Sequence, residues 1–264
     1  MTGAIASSFE EKRIVFFSGG SAANDVAREI ATANRRCLHF MSPFDSGGSS
    51  AALRLAFGMP AIGDLRNRLM AIADNSVPGY TAIARLLEHR LSPERSASAL
   101  RLELEQMSRL DHALTREIPH AIALVIGEQL RHLVKQLPDS IDLQGASIGN
   151  LVIAGSYLDN GRNLDSALSL FAKIIAARGE VRAIVNESAH LFAYLTDGQL
   201  VAEQHRLTGK EAPPIASPVR SIFLSASPSR AVPVDLALDG RNAQDIRAAD
   251  LLCFAPGSFY SSLL

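Results

Sequence analysis

Asp45 and the glycines and serines that follow it have the chemistry of a phosphate-binding loop. The stretch Pro43–Ser50 (PFDSGGSS) comes directly after the apolar run Cys37–Met41 and combines one acid, two glycines and three hydroxyl groups. Glycine lets backbone N–H groups approach phosphate oxygens closely, and serine adds a further donor. The same composition is typical of a plain turn, so the stretch alone leaves both interpretations open.

Two further clusters of this kind follow other predicted strands. Ser18–Ala22 (SGGSA) comes after the apolar run Ile14–Phe17, and residues 255–262 (APGSFYSS) come after Leu251–Phe254. In an open parallel sheet, ligands bind beyond the carboxyl ends of the strands, where loops lead into helix N-termini. Three such clusters on one predicted rim favour a phosphate site over three unrelated turns.

Charged residues near these clusters suggest how phosphate groups would be bound. Asp45 and Asp64 each lie in a glycine-containing turn, and carboxylates near phosphates are where Mg²⁺ is held, with few protein ligands and several waters. A helix cap is the structural alternative for Asp64. Arg54, Arg66 and Arg68 are candidates for guanidinium–phosphate contacts, with an exposed helix face as the alternative.

Several other kinds of site are excluded by residue spacing. The sequence contains no G-x-G-x-x-G with a following ribose-binding acid, no G-x-x-x-x-G-K-[ST] loop and no G-x-S-x-G nucleophile turn. Its seven histidines lack the spacing of a zinc motif. Its two cysteines, Cys37 and Cys253, lie in apolar runs and are predicted to be buried and reduced.

Composition and charge limit the class of protein. The 264 residues are 47% hydrophobic and 20% charged, which predicts one large or two modest globular domains. A formal net charge of -1 gives no reason to expect nucleic acid or an anionic membrane as a partner. We find no apolar run typical of a signal peptide or a membrane span, and therefore expect a cytoplasmic protein.

The elements that would position these loops begin with a βαβ unit. A strand at Ile14–Phe17, a glycine turn, a helix and a strand at Cys37–Met41 follow one another, and short all-apolar strands predict a parallel sheet covered on both faces. The fold class predicted is α/β, a Rossmann-like three-layer sandwich with a mostly parallel sheet and a helical insertion. The first helix is predicted to bury one face, made of Ala23, Val26, Ala27 and Ile30.

The middle of the chain is predicted to be a helical insertion or cap over residues 80–140. Residues 80–137 show only helical periodicity, with one face of a long helix marked by Leu114, Ile118, Ile122, Val125, Leu133 and Leu137. Residues 1–79 and 141–264 would then form the Rossmann-like domain. Its second part is predicted to contain strands at Val181–Val185, Ser221–Leu224 and Leu251–Phe254 and a hairpin around Asp197-Gly198.

A family resemblance supports this interpretation. Residues 43–74 (PFDSGGSSAALRLAFGMPAIGDLRNRLMAIAD) resemble the D-D-G-G-S-S-G-x-L-R…G-x-P-x-x-G-D-x-R-N-x-L-x-A-L signature of the CofD/YvcK superfamily. Four more segments agree in order: SGGSA, ASIGNLVIAGSYL, VRAIVNESAHLFAYLTDGQLVAEQ and ADLLCFAPGSFYSSLL. The resemblance covers nearly the whole chain. The form PFDSGGSSA is most similar to the CofD-related proteins of the GAK system, which accompany an ATP-grasp protein and a kinase-related protein.

The resemblance implies two alternative activities. CofD proper is a Mg²⁺-dependent 2-phospho-L-lactate transferase that moves phospholactate from a guanosine diphosphate-type donor to a deazaflavin hydroxyl and releases GMP. YvcK-type proteins bind a nucleotide sugar and regulate carbon metabolism and cell-wall synthesis. We expect a CofD-like transferase that uses a nucleotide diphosphate donor and an acceptor hydroxyl, with a non-catalytic YvcK-like regulator as the alternative. Mg²⁺, a homodimer and GAK-system partner proteins are further expectations.

The resemblance also implies the site residues. Asp45 and Asp64 would be catalytic, and Asp45 would bind the metal. The nucleotide and phosphate groups would be bound by Gly19, Gly20, Ser21, Ser46, Gly47, Gly48, Ser49, Asn67, Asn150, Gly257 and Ser258.

The chain departs from the family pattern at three positions and at its end. Ser46 replaces the second of the paired acids, which weakens a metal site built on both, and Ala22 replaces the last glycine of the first loop. Residues 63–67 (GDLRN) have the YvcK-like form rather than the P-D-x-D-T of CofD proper, which argues against a deazaflavin acceptor. The end at Leu264 is interpreted either as a truncation or as that of a short member.

Overall fold

A computed structural model describes residues 9–203, 206–207 and 213–257. The strands in this part of the chain are β1 (Ile14–Ser18), β2 (Cys37–Met41), β3 (Glu180–Ala183), β4 (His190–Leu195), β5 (Leu200–Ala202), β6 (Val219–Ser225) and β7 (Leu251–Phe254). The helices are α1 (Asn24–Ala33), α2 (Gly48–Phe57), α3 (Gly63–Ala71), α4 (Tyr80–Glu88), α5 (Ala97–Ser108), α6 (Ala113–Arg116), α7 (His120–Gln136), α8 (Ile148–Asp159), α9 (Leu164–Ile174) and α10 (Gly240–Arg247).

Four strands form a parallel sheet in the order β3-β2-β1-β7. The predicted α/β class and parallel sheet are therefore confirmed. The remaining strands form a separate antiparallel sheet in the order β5-β4-β6. Its β4–β5 pair is the hairpin predicted around Asp197-Gly198, where Gly198 adopts a φ of 86° that glycine tolerates best.

Helix α1 buries a face made of alanines, so the predicted face is wrong at one position. Ala23, Ala27 and Ala31 are 1–2% exposed, whereas Val26 is 48% exposed. The three alanines are spaced four residues apart and therefore lie on one side of the helix. Small side chains there let α1 pack closely against α3.

The long helix predicted after residue 114 is broken. Helix α6 ends at Arg116 and α7 begins at His120, with Pro119 between them as the N-cap residue. Proline disfavours the helical conformation of the residue before it, so Ile118 cannot continue α6 into α7. Helical structure otherwise occupies the predicted region, while the division of the chain into three domains stays a prediction.

One large apolar core joins the parallel sheet to the central helices. Met41 and Ala183 from the sheet belong to the same buried cluster as Leu104, Leu130 and Leu151 from α5, α7 and α8. Helices α7 and α8 approach especially closely at Gly155, where a methyl group would lie 2.0 Å from the carbonyl oxygen of Gln129. Only glycine fits this contact without moving one of the helices.

The opposite face of the sheet is less completely covered. Helix α10 contributes Ile246 to a cluster with Val15, Leu38 and Phe40. At strand β7, however, Leu252 and Phe254 are 42% and 66% exposed. The prediction of a sheet covered on both faces is therefore wrong at this strand. Cys37 is buried as predicted, Cys253 is only partly so, and both are free thiols.

Within the described ranges, no helix combines the length and apolar character needed to span a lipid bilayer.

Candidate functional site

Three of the predicted loops begin at one edge of the parallel sheet. Strands β1 and β2 are in parallel register, with Ser18 opposite Met41, so the loops after them start side by side. The Ala255 N–H donates to the Phe17 carbonyl oxygen at 3.0 Å, which starts the loop after β7 at the same edge. Gly257 in that loop is exposed. Ser258 lies outside the described residues.

Asp64 connects the first loop to helix α3. Its Oδ2 accepts a hydrogen bond from the backbone N–H of Gly20 at 2.8 Å. The helix begins at Gly63, with Ile62 as its N-cap residue, so Asp64 lies in the first turn and the helix-cap alternative is wrong. The carboxylate is also well placed electrostatically, because negative charge is favoured at a helix N-terminus.

The second loop leads directly into the N-terminus of helix α2. Asp45 Oδ1 accepts from the backbone N–H of Gly47 at 3.1 Å, which folds the loop into a turn. Gly47 is the N-cap residue and has no side chain to bind the first N–H groups of α2. The N-terminus of a ten-residue helix presents such groups and the positive end of its dipole to an anion.

Two glycines leave the backbone of these loops open on one side. Gly20 and Gly48 adopt left-handed conformations with φ of 58° and 52°. No described atom lies within 4 Å of the position a first side-chain carbon would occupy at either residue. Glycine is therefore needed for the conformation, and its small size gives a ligand access to the backbone.

The two candidate acids are brought to neighbouring positions. A methyl group on Gly63 would lie 2.9 Å from Asp45 Oδ2 and 2.7 Å from Ser50 Oγ. The Asp45 carboxylate therefore packs against the backbone at the start of α3, one residue before Asp64. Ser50 belongs to the stretch Pro43–Ser50 but was not among the predicted site residues, and its hydroxyl group also lies here.

A third connection comes from the N-terminal turn of helix α8. The buried Asn150 donates from Nδ2 to Ser49 Oγ at 2.9 Å, and its Oδ1 accepts from Arg66 Nε at 3.3 Å. The Asn150 prediction from the motif G-N-L thus identified a residue that contacts the second loop. Burial lowers the pKa of Arg66, with the nearby positive charge of Arg90 as a further cause.

Arg68 lies beneath the loops rather than on an exposed helix face. Its side chain is buried, and Nη1 donates to the carbonyl oxygen of Ala23 at 2.9 Å. Burial lowers the pKa of Arg68 to about 10, with the Asp64 carboxylate acting in the opposite direction, so the guanidinium is charged at neutral pH. Arg68 therefore supports the start of α1 and places positive charge below the loops.

His39 is buried beside Arg68 on the same face of the sheet. Its ring stacks on Phe16 with 5.0 Å between the ring centroids. Burial lowers the pKa of His39 to about 3, and the positive charge of Arg68 adds to the shift. His39 is therefore neutral in the folded protein, and no sequence pattern distinguished it from an ordinary strand residue.

Arg54 is also buried, so the exposed-face alternative is wrong for this residue too. Its Nη1 donates to the carbonyl oxygen of Asp45 at 3.0 Å, and its Nη2 donates to that of Ala189. The guanidinium thereby joins the second loop to the start of β4. Its role in the structure is to position the loop.

The remaining predicted residues differ in how directly they face the site. Ser21 is exposed, Gly19 is buried directly after β1, and Ser46 is buried beside a cavity that also contacts α2. Asn67 is partly exposed on α3. Its side chain makes no hydrogen bond to another predicted site residue within the described part of the chain.

The carboxylates of this site could bind Mg²⁺ only together with phosphate oxygens from a ligand. Within the described ranges, no three His, Cys, Asp or Glu side chains are gathered at metal-binding distance. Mg²⁺ in phosphate sites is typically bound through one or two carboxylates, phosphate oxygens and water. Asp45 and Asp64 have the required chemistry, whereas Ser46 supplies no carboxylate.

These features define an α/β protein with a Rossmann-like parallel sheet whose glycine- and serine-rich loops meet at the carboxyl ends of the strands. Comparison with known families agrees with this class. The chain belongs to the CofD family, described as 2-phospho-L-lactate transferase CofD, which matches residues 14–264.

Two bacterial relatives have the name gluconeogenesis factor. The protein from Halalkalibacterium halodurans is 25% identical over 256 residues, covering 97% of this chain and 60% of its own length. The protein from Bacillus subtilis is 24% identical over 255 residues, covering 97% of this chain and 61% of its own length. The chain thus spans about three fifths of these relatives.

A solved structure supports the fold. The crystal structure of a UPF0052-family protein from Bacillus halodurans superposes with a TM-score of 0.66 at 23% sequence identity. The match covers 95% of this chain and 60% of that one.

Proposed function

We propose that this protein binds a nucleotide diphosphate and transfers a phosphorus-containing group from it to an acceptor hydroxyl. The proposal extends the family assignment, which names a 2-phospho-L-lactate transferase. The acceptor is left open, because residues 63–67 differ from the form of CofD proper.

One observation carries the proposal. The loop containing Gly20 and the loop containing Asp45 meet at the start of α3, through the Gly20–Asp64 hydrogen bond and the packing of Asp45 on Gly63. Backbone N–H groups, a helix N-terminus and two carboxylates are thereby placed together. This combination suits a diphosphate and a hard cation better than it suits a structural turn.

Catalysis at such a site would depend on positioning and on neutralisation of charge. The backbone N–H groups near Gly20 and Gly48 would bind phosphate oxygens and stabilise the charge that develops on them. Mg²⁺, when bound at Asp45, would neutralise further negative charge on the phosphates. Asp64 would keep the first loop in place through the Gly20 N–H, and Arg68 would add positive charge from below.

A non-catalytic nucleotide-sugar regulator is the second candidate. It is supported by the names of the bacterial relatives, which refer to gluconeogenesis. It is also supported by Ser46, which stands where the family pattern has a second acid. Both functions need the same diphosphate-binding loops and differ in whether a bond is broken.

Calorimetric titration of the protein with GDP, GTP, UDP and UDP-sugars, with and without Mg²⁺, tests both candidates. We expect micromolar binding of at least one diphosphate, strengthened by Mg²⁺. Absence of binding to every one of these ligands would contradict both functions.

The variant Asp45→Asn separates a transferase from a regulator. For a transferase, we expect nucleotide release in the presence of an acceptor to fall about 100-fold or more, with nucleotide affinity changed by less than about tenfold. The matched control is Asp25→Asn, which removes an exposed carboxylate on α1 that pairs with Arg28. If no acceptor supports nucleotide release by the unmodified protein and Asp45→Asn changes only affinity, the regulator is favoured.

A further inference from the structure

A cavity of about 600 Å³ lies beside the second loop. Helix α2, the start of β4, the end of β5 and the loop after β6 all contribute to its walls. Ser46, a predicted site residue, and Arg54, a candidate for phosphate contacts, both line it. The cavity therefore continues directly from the proposed diphosphate site.

One wall of the cavity is apolar. Ala51 and Leu55 line it from one face of α2, at positions i and i+4, and Gly58 lines it from the residue after the helix. Leu55 is 84% exposed, more than any other large apolar side chain in the described residues. Pro228, from the loop after β6, adds further apolar surface. Such walls contact the flat faces of a ring.

Arg54, also from α2, provides a fixed positive charge at the cavity. Besides its bonds to backbone carbonyl groups, its Nη2 lies 3.3 Å from Nδ1 of His190. Since a guanidinium can only donate, Nδ1 accepts and the ring proton of His190 is assigned to Nε2. Burial lowers the pKa of His190 to about 4, and the charge of Arg54 adds to the shift, so the imidazole is neutral at physiological pH.

Glu203 provides the balancing negative charge. Its carboxylate is close enough to stabilise the charged form of Arg54 and so partly opposes the lowering of that residue's pKa by burial. Glu203 also has a φ of 75°, which is unfavourable for a residue with a side chain, and its N–H donates to the Leu191 carbonyl oxygen at 2.7 Å. Unfavourable backbone conformations of this kind concentrate at functional sites.

We propose that this cavity binds an uncharged ring that carries hydrogen-bond donors. The proposal rests on the proposed function, because it adds a second subsite to the same ligand site. The opposite charges of Arg54 and Glu203 give no preference for a second anion. The Glu203 carboxylate can accept N–H or O–H donors from a ring edge, while Leu55 and Pro228 contact its faces.

A ring with these properties can come from two molecules. It belongs either to the nucleoside end of the diphosphate ligand or to a separate acceptor molecule. A volume of about 600 Å³ accommodates either, since small-molecule pockets range from about 300 to 1,000 Å³.

Two variants test the subsite, and a third serves as the control. Glu203→Gln removes the carboxylate, and Leu55→Asp places a charge on the apolar wall at a position exposed enough to leave folding unchanged. Leu102→Asp is the matched control, because Leu102 is 53% exposed on α5 and does not line the cavity. Each protein is titrated by calorimetry with GDP, UDP and inorganic pyrophosphate.

If the nucleoside end occupies the cavity, both variants bind GDP or UDP at least about tenfold more weakly and bind pyrophosphate within about twofold of the unmodified protein. If a separate acceptor occupies it, GDP binding is unchanged, and ring compounds such as guanosine, glucose and riboflavin are tested in the presence of GDP. In that case we expect at least one of these ring compounds to bind the unmodified protein and neither of the two variants.

The proposed subsite is overturned if the unmodified protein binds GDP or UDP and both variants bind every tested compound with the same affinity as the unmodified protein. The proposed function fails in a different way, through absence of binding of pyrophosphate and of all nucleotides to the unmodified protein. The Leu102→Asp control must match the unmodified protein in each titration.

Discussion

Gly63 and Gly240 are both the first residue of a helix, and they differ in what a side chain would contact. At Gly63 a methyl group would meet Asp45 Oδ2 and Ser50 Oγ at 2.9 and 2.7 Å. At Gly240 it would meet no described atom within 4 Å. Neither residue has a left-handed backbone. Comparing an alanine substitution at each position therefore separates its effect on the site from its effect on the start of a helix.

We predict that Gly63→Ala weakens GDP binding about tenfold or more, because the Asp45 carboxylate must move away from the start of α3. Calorimetric titration gives the affinity, and thermal unfolding shows whether the variant is folded. Gly240→Ala should bind GDP as the unmodified protein does. Equal affinity of Gly63→Ala and the unmodified protein would mean that the position of Asp45 does not matter for the ligand.

The sequence predicted the loops better than it predicted how they are held. Glycines, serines and acids after strands are local signals, and the motif G-N-L pointed to Asn150, whose side chain contacts Ser49. The positions of Arg54 and Arg68 could not be predicted in this way, because charged residues on helices are usually exposed. Their burial depends on contacts with the carbonyl groups of Ala189 and Ala23, which lie 135 and 45 residues away in the sequence.

At the scale of elements, the contact between α7 and α8 depends on a single glycine. A methyl group on Gly155 would lie 2.0 Å from the Gln129 carbonyl oxygen and 2.7 Å from its carbonyl carbon. Backbone atoms cannot move aside without shifting the helix. At Gly127 the obstacles are Leu110 Cδ2 at 2.8 Å and the Ser108 carbonyl oxygen at 3.0 Å, of which the leucine methyl can move.

We predict that Gly155→Ala lowers the free energy of unfolding by about 2–3 kcal/mol, since overpacking outweighs the higher helix propensity of alanine. Gly127→Ala should cost less, and Gly240→Ala should be neutral or slightly stabilising. Chemical denaturation of the three variants measures this order. A Gly155→Ala protein as stable as the unmodified one would show that the two helices are not in tight contact.

Element boundaries followed local patterns, and the errors arose where a pattern had two interpretations. The strand predicted at Leu251–Phe254 was found with the same ends, because a short apolar run between polar residues is unambiguous. The apolar spacing across residues 114–137 fits one helix or two, and Pro119 decides between them. On α1, Val26 was predicted to be buried but is exposed, and Ala31 is buried instead. Helical spacing alone does not show which of several adjacent positions packs against the rest of the protein.

At the scale of the whole molecule, the buried His39 links stability to pH. Its pKa in the folded protein is about 3, below the ordinary value of 6.5. Between these two values the unfolded chain binds more protons than the folded chain. Stability contributed by the neutral ring is therefore present above about pH 6.5 and is lost as the pH falls.

We predict that the unmodified protein loses up to about 1.4 kcal/mol of stability per pH unit from this group as the pH falls below 6.5. In His39→Phe, which can still stack on Phe16, this part of the pH dependence should disappear. Chemical denaturation at several pH values between 4.5 and 7.5 measures the slopes. His120→Asn, at an exposed position on α7, is the control and should retain the slope of the unmodified protein.

The overall class of fold could be predicted because strand, glycine turn and helix follow one another in an order that permits few topologies. Two large-scale features could not be predicted from the sequence. All-apolar strands predict burial on both faces, yet β7 is at the edge of the sheet, where Leu252 and Phe254 are exposed. The cavity beside α2 is formed by segments more than 130 residues apart, such as Arg54 and His190, and no local pattern indicates it.

The burial of Arg68 has a consequence for how this protein can evolve. Its Nε and Nη2 atoms, like both ring nitrogens of His39, have no hydrogen-bond partner among the described residues. Each such buried polar atom typically lowers stability by about 1–3 kcal/mol. Apolar replacements that fill the same volume would thus be favoured by selection for stability alone. Arg68 and His39 thus amount to a trade-off, in which positive charge beneath the proposed ligand site is kept at the expense of thermal robustness.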